Sequence, residues 1–123
     1  MNYMKPKYTI TGNVPSKSNC YKVIRLGNRC GLGKQKHLEV YEKSFKAQIS
    51  EYKKEPIIDG LFSFEIDVYY DSRRPDLDNS LKVVLDCLQK AEVIKNDNLC
   101  MQILARKHLD KENPRCEFSI KPI

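Results

Sequence analysis

Between Phe62 and Ala91 the hydrophobic period of the chain switches from two residues to three or four, and no other feature restricts the fold as tightly. Phe62, Phe64, Ile66, Val68 and Tyr70 alternate with Ser63, Glu65, Asp67 and Tyr69. Side chains point to opposite faces along a strand, so this run predicts a strand with one apolar face. Leu81, Val84, Leu85, Leu88 and Ala91 then recur at helical spacing. Proline does not lie deep in a helix and Asp is a preferred N-cap, so the helix is expected to begin between Asp76 and Asp78, just after Pro75.

The same two periods divide the rest of the chain. Lys7 to Thr11 reads as a short strand, broken by Gly12-Asn13-Val14-Pro15-Ser16. A basic loop or hairpin follows, with two short strands expected around Leu26-Gly27-Asn28 within Asn19 to Cys30. Gly31-Leu32-Gly33 is expected to end them in a mobile turn. From Gln35 the apolar positions Leu38, Tyr41, Phe45, Ile49 and Tyr52 are helical in spacing. Lys95-Asn96-Asp97-Asn98 reads as a polar turn before a strand from about Leu99 to Lys107, and Arg115 to Lys121 as the final strand. Helices alternating with strands predict an α/β (α+β) fold, a small mixed β-sheet with two helices on one face. The 123 residues, 41% of them hydrophobic, suit a single domain over residues 1–123.

Charge divides the chain differently. Residues 1–38 contain no Asp or Glu but carry Lys5, Lys7, Lys17, Lys22, Arg25, Arg29, Lys34 and Lys36, whereas the remainder holds 14 basic and 16 acidic residues. A basic segment on a slightly acidic body points to a polyanion partner, although charge runs are often only solvated surface. Five widely spaced cysteines without a Cys-x-x-Cys pair argue against structural zinc and a disulfide framework. Cys87 and Cys116 fall on apolar faces, where reduced thiols behave as small hydrophobes. No run approaches the roughly 20 apolar residues of a membrane span and no secretory signal is evident, so a soluble cytoplasmic protein is expected.

The chemistry concentrates between Arg73 and Asp97. Asp76 and Asp78 are two residues apart where a strand exits into a helix, so locally extended backbone would point both carboxylates the same way. Lys82 follows Asp78 by one helical turn, and Arg73-Arg74 sets cations beside the pair. Asp97, in the turn after the helix, is a candidate third ligand. Carboxylates without histidine or thiol select a hard cation, magnesium or manganese, which can activate a phosphodiester. Singly, each residue has a plainer role: Asp76 or Asp78 as N-cap, Asp97 as turn residue, Lys82 as solvated lysine.

Arg74-Pro75-Asp76-Leu77-Asp78-Asn79-Ser80-Leu81-Lys82, Leu85-Asp86-x-Leu88 and Val93-Ile94-x-Asn96-Asp97 resemble, in that order, the signature of the RusA family of Holliday junction resolvases. Gly12 to Asn19 resembles that family's N-terminal motif. The resemblance implies a homodimeric, Mg²⁺-dependent endodeoxyribonuclease that resolves four-way DNA junctions by paired symmetric nicks. It places the catalytic and metal-binding aspartates at Asp76, Asp78 and Asp97, and the functional lysine at Lys82. Where family members often carry two adjacent acids, this chain has Asn96-Asp97, which assigns the role to Asp97. Lys17, Lys22, Arg25, Arg29, Arg73 and Arg74 are the expected DNA contacts. Two other readings stay open on spacing alone: a non-catalytic nucleic-acid-binding module, or another metal-dependent phosphoester hydrolase.

Overall fold

The computed structural model describes residues 6–15, 21–26, 29–34 and 36–123. Strand β1 (Tyr8–Thr11) is followed by β2 (Tyr21–Leu26), β3 (Arg29–Lys34), helix α1 (Lys36–Ile49), β4 (Phe62–Tyr70) and helix α2 (Leu77–Lys90). A 3₁₀ turn at Asp97–Leu99 then leads into β5 (Cys100–Leu109) and β6 (Arg115–Pro122). β2 and β3 pair with each other, and the remaining strands form one sheet in the order β1-β6-β4-β5. β6 is antiparallel to both β1 and β4, whereas β4 and β5 are parallel. Parallel neighbours need a crossover, and α2 supplies it.

The alternation in β4 explains how the sheet meets its helices. Phe62, Phe64, Ile66, Val68 and Tyr70 are buried, and the residues between them are half-buried. They join Leu38, Tyr41, Phe45 and Ile49 of α1 and Val83, Val84 and Leu88 of α2 in one core. Each such side chain contributes on the order of 2 kcal/mol by leaving water. Cys87 and Cys116 lie in that core, and burial pushes both thiols up to about 12. Among the described residues, no helix is long and apolar enough to cross a membrane.

The other face of the sheet is a polar ladder. Arg106 on β5 donates to Asp67 Oδ1 at 2.7 Å and also to Glu65, both on β4, and His108 Nε2 meets Asp67 Oδ1 at 2.7 Å. The Tyr69 ring stacks on His108 at 4.4 Å and carries the Arg115 guanidinium 3.8 Å from its centroid. Arg115 in turn bonds Glu117 and Asp110. Opposite charges across neighbouring strands stabilise the sheet, and with four carboxylates against two guanidinium groups this ladder carries a small negative excess.

Two local expectations change. Gly31, Leu32 and Gly33 lie inside β3, paired with Ile24, Val23 and Lys22, and do not form a turn. Ladder bonds use backbone groups, so glycine can occupy a hairpin strand despite its turn preference. Tyr52 lies beyond the end of α1; its hydroxyl accepts from Thr9 N at 2.8 Å and donates to Thr9 O at 3.0 Å, closing the outer edge of β1. Gly27 and Asn28, the expected hairpin turn, are outside the described residues.

Burial alone would raise the Asp67 carboxyl, but the bonds from Arg106 and His108 outweigh it and hold it below the ordinary value. A carboxyl depressed in the folded state adds stability that is present above its unfolded value near pH 4 and lost as pH falls through the folded value. Asp67→Asn is therefore expected to cost about 1 kcal/mol at pH 7 in urea unfolding. The gap to the native chain should close below about pH 4.

Candidate active site

Where β4 ends, the core itself fixes the start of α2. Tyr70 is fully buried, and its hydroxyl donates to Ser80 Oγ, also fully buried, at 2.7 Å. A buried hydroxyl without a partner is costly, so this bond locks the first turn of α2 against the end of the strand. Around it, Asp110 N donates to Tyr70 O at 2.8 Å and Asp71 N to Asn13 Oδ1 at 3.2 Å. The Lys107 ammonium donates to Arg73 O at 2.9 Å and Pro75 O at 2.5 Å. The C-terminal ends of β4 and β5, the loop before α2 and the residues after β1 thus meet at one pole of the sheet. Ligands of parallel α/β units commonly bind at that end of the strands.

Asp76 and Asp78 stand at this pole. Asp76 occupies the N-cap position in extended backbone, φ −88° and ψ 130°, but its side chain makes no capping bond. Asp78 lies in the first turn, and both residues are exposed. Burial raises the Tyr70 hydroxyl above its ordinary value, the Ser80 bond opposes that, and the negative charges of Asp76 and Asp78 add to the rise. Both carboxylates are therefore felt at the same buried oxygen. Lys82 is exposed one turn along α2, and Arg73 and Arg74 are exposed on the preceding loop.

Asp97 lies at the other end of α2. Its N–H donates to Gln89 Oε1 at 2.9 Å, in the last turn of the helix, and Asn96 Oδ1 caps the 3₁₀ turn by accepting from Asn98 N at 3.0 Å. About 16 Å of helix rise separates Asp78 from Gln89. Among the described residues no three His, Cys, Asp or Glu side chains form a metal-holding group. Within one chain the structure brings together Asp76, Asp78, Lys82, Arg73 and Arg74, and leaves Asp97 at the far pole.

Of the expected DNA contacts on the basic segment, Lys22 and Arg25 belong to β2 and Arg29 to β3, while Lys17 lies outside the described residues. Lys7 is matched by Glu55. Asn13 and Lys107 join the pole without having been singled out as side chains with roles there. No side-chain pattern announced Lys107, an exposed residue whose acceptors are backbone carbonyls.

The donor set suits magnesium. Carboxylate oxygens are hard ligands, and Mg²⁺ is commonly held by one or two carboxylates with waters and substrate phosphates completing its shell. Asp76 and Asp78 meet that requirement without giving up a structural bond. The positive end of the α2 dipole opposes the cation somewhat and favours a phosphate beside it.

The family model described as endodeoxyribonuclease RusA matches residues 15–121. A crossover junction endodeoxyribonuclease RusA from Aquifex aeolicus (strain VF5) is 36% identical over 76 residues, 61% of this chain and 60% of that protein.

The bond that sets the start of α2 can be tested by itself. Ser80→Ala leaves the Tyr70 hydroxyl buried without its acceptor and is expected to cost about 1–3 kcal/mol in urea unfolding. Adding Tyr70→Phe should recover part of that loss, which a double-mutant cycle would measure.

Proposed function

This chain belongs to the RusA endodeoxyribonuclease family, and on that premise we propose that it is a Mg²⁺-dependent nuclease, with Mn²⁺ as a substitute, that resolves four-way DNA junctions by paired symmetric nicks. The observation that carries the reading is the Asp76–Asp78 pair, set at the helix start beside Arg73 and Arg74 with no capping duty for Asp76. When bound, the cation supplies Lewis-acid polarisation of the scissile phosphodiester. Asp76 and Asp78 hold it. Lys82, on the same side of α2 as Asp78, donates to phosphate oxygens as negative charge builds on them. Arg73, Arg74 and the basic segment with Lys17, Lys22, Arg25 and Arg29 bind backbone phosphates and release counterions. The polar ladder, with more carboxylates than guanidinium groups, gives no comparable attraction, so DNA approaches the pole and not that sheet face.

A homodimer is the working form in this reading, with Asp97 acting on the site of the neighbouring copy. Among the described residues β5 has β4 on one side and no strand on the other, and its Met101, Ile103, Leu104 and Leu109 are 44–62% exposed. A long apolar edge strand is a template for pairing. Antiparallel pairing of two such edges about Ile103 sets Asp97 of one copy opposite Leu109 of the other, near the Lys107 end of β5 and hence the Asp76 pole. The two sites then lie about a two-fold axis, as symmetric nicking requires. Buried thiols at Cys87 and Cys116 suit the reducing cytoplasm.

Substitution separates binding from cleavage. Asp76→Asn or Asp78→Asn keeps side-chain shape but removes the charge that holds the cation. Cleavage of a mobile four-way junction should fall by at least about 100-fold. Junction affinity in EDTA should stay equal or improve, because carboxylates repel phosphates. Asp86→Asn, on the same helix, is the control. Near-native cleavage by either variant, or binding without cleavage by the native chain under Mg²⁺ and Mn²⁺, would contradict the proposal.

A further inference from the structure

We propose that Lys107 is a positioning residue that holds the loop bearing Asp76 and Asp78 in the shape that binds the cation. This rests on the reading of those two aspartates as the metal pair. Lys107 lies on β5 opposite Val68 of β4, inside the parallel pair. Its ammonium reaches across the end of β4, 5.6 Å from the centroid of the Tyr70 ring, and donates to the carbonyls of Arg73 and Pro75.

Those carbonyls immediately precede the N-cap. Two carbonyl oxygens converging on one point repel each other, and a point cation with three donors relieves that repulsion. Pro75 has a fixed φ, so holding the carbonyls on both sides of Arg74 leaves little freedom in the chain entering Asp76. Asp76 is extended there, which suits two carboxylates two residues apart pointing the same way. Among the described residues the loop's other ties are longer: the Ser72 hydroxyl accepts from Arg74 N at 3.4 Å, and Asp71 N reaches Asn13 at 3.2 Å.

The choice of acceptor matters. An ammonium paired directly with Asp76 or Asp78 would compete with the metal for the same oxygens. By binding backbone carbonyls, Lys107 places positive charge beside the carboxylates and leaves their oxygens open. It also ties the loop to a ten-residue strand, so the rigidity of the sheet is passed to the ligands.

The test compares Lys107→Met, which keeps the side-chain length without donors, with Lys107→Arg, which restores them. Three quantities are read: amide exchange at Arg74, Asp76, Leu77 and Asp78, the Mg²⁺ concentration for half-maximal junction cleavage, and junction affinity in EDTA. Lys107→Met should speed exchange in the loop by about tenfold and raise the Mg²⁺ requirement by about tenfold or more. Affinity in EDTA should stay within about twofold, and Lys107→Arg should recover both losses in part. Should Lys107→Met lose its cooperative thermal transition, Lys107→Gln, whose amide is too short to span both carbonyls, takes its place with the same expectations. Unchanged loop exchange with an unchanged Mg²⁺ requirement overturns the proposal. So does a loss confined to affinity in EDTA, which would make Lys107 a DNA contact. A native chain that cleaves nothing would end the metal-pair reading, while the exchange comparison would still decide whether Lys107 orders the loop.

Discussion

Parallel pairing of β4 with β5 obliges the chain to travel back across the sheet between them, and α2 is the element that does so. Much of the molecule's chemistry follows from that constraint. A crossover helix has its two ends at opposite poles, so the residues that open α2 and those that follow it cannot share a site in one chain. Asp76 and Asp78 stand at the first pole, and Asp97, bonded to Gln89, stands at the second. The Tyr70–Ser80 bond makes the arrangement stiff, because the start of the helix is fastened to the buried end of the strand.

On the proposed dimer, the division between the poles gives the exposed edge of β5 a purpose. That edge begins beside Asp97 and ends beside the loop held by Lys107, so it runs the full distance that separates the acids. On the proposed antiparallel pairing, each copy carries its own Asp97 to the pole of the other. The apolar side chains of β5 would then be covered by their own counterparts. On that proposal dimerisation and assembly of the site would be a single event, and an isolated chain would not nick one strand alone.

Much of the fold was legible in the residues. Alternation from Phe62 to Tyr70 marked β4 and its buried face, and the spacing from Leu81 to Leu88 marked α2. The hairpin register was not, since Gly31 and Gly33 carry turn preference while their backbone groups serve a ladder as well as any others. The placement of Asp76 and Asp78 at the start of α2 was legible because it depends on local geometry at a helix start. The pole occupied by Asp97 was hidden, because a turn after a helix can face either way until the partner of its N–H is known. Lys107 escaped notice for a related reason: its acceptors are backbone carbonyls, which no side-chain pattern announces.

The central claim is that α2 divides the acidic residues of one chain and that two copies reunite them. Refolding an equal mixture of Asp76→Asn and Asp97→Asn chains, each inactive alone, produces dimers of mixed composition. If the site is shared between copies, one site of a mixed dimer carries both substitutions and the other carries neither, so the mixture should nick one strand of a four-way junction. A mixture as inactive as its two components, or an Asp97→Asn chain that cleaves normally by itself, would contradict the account.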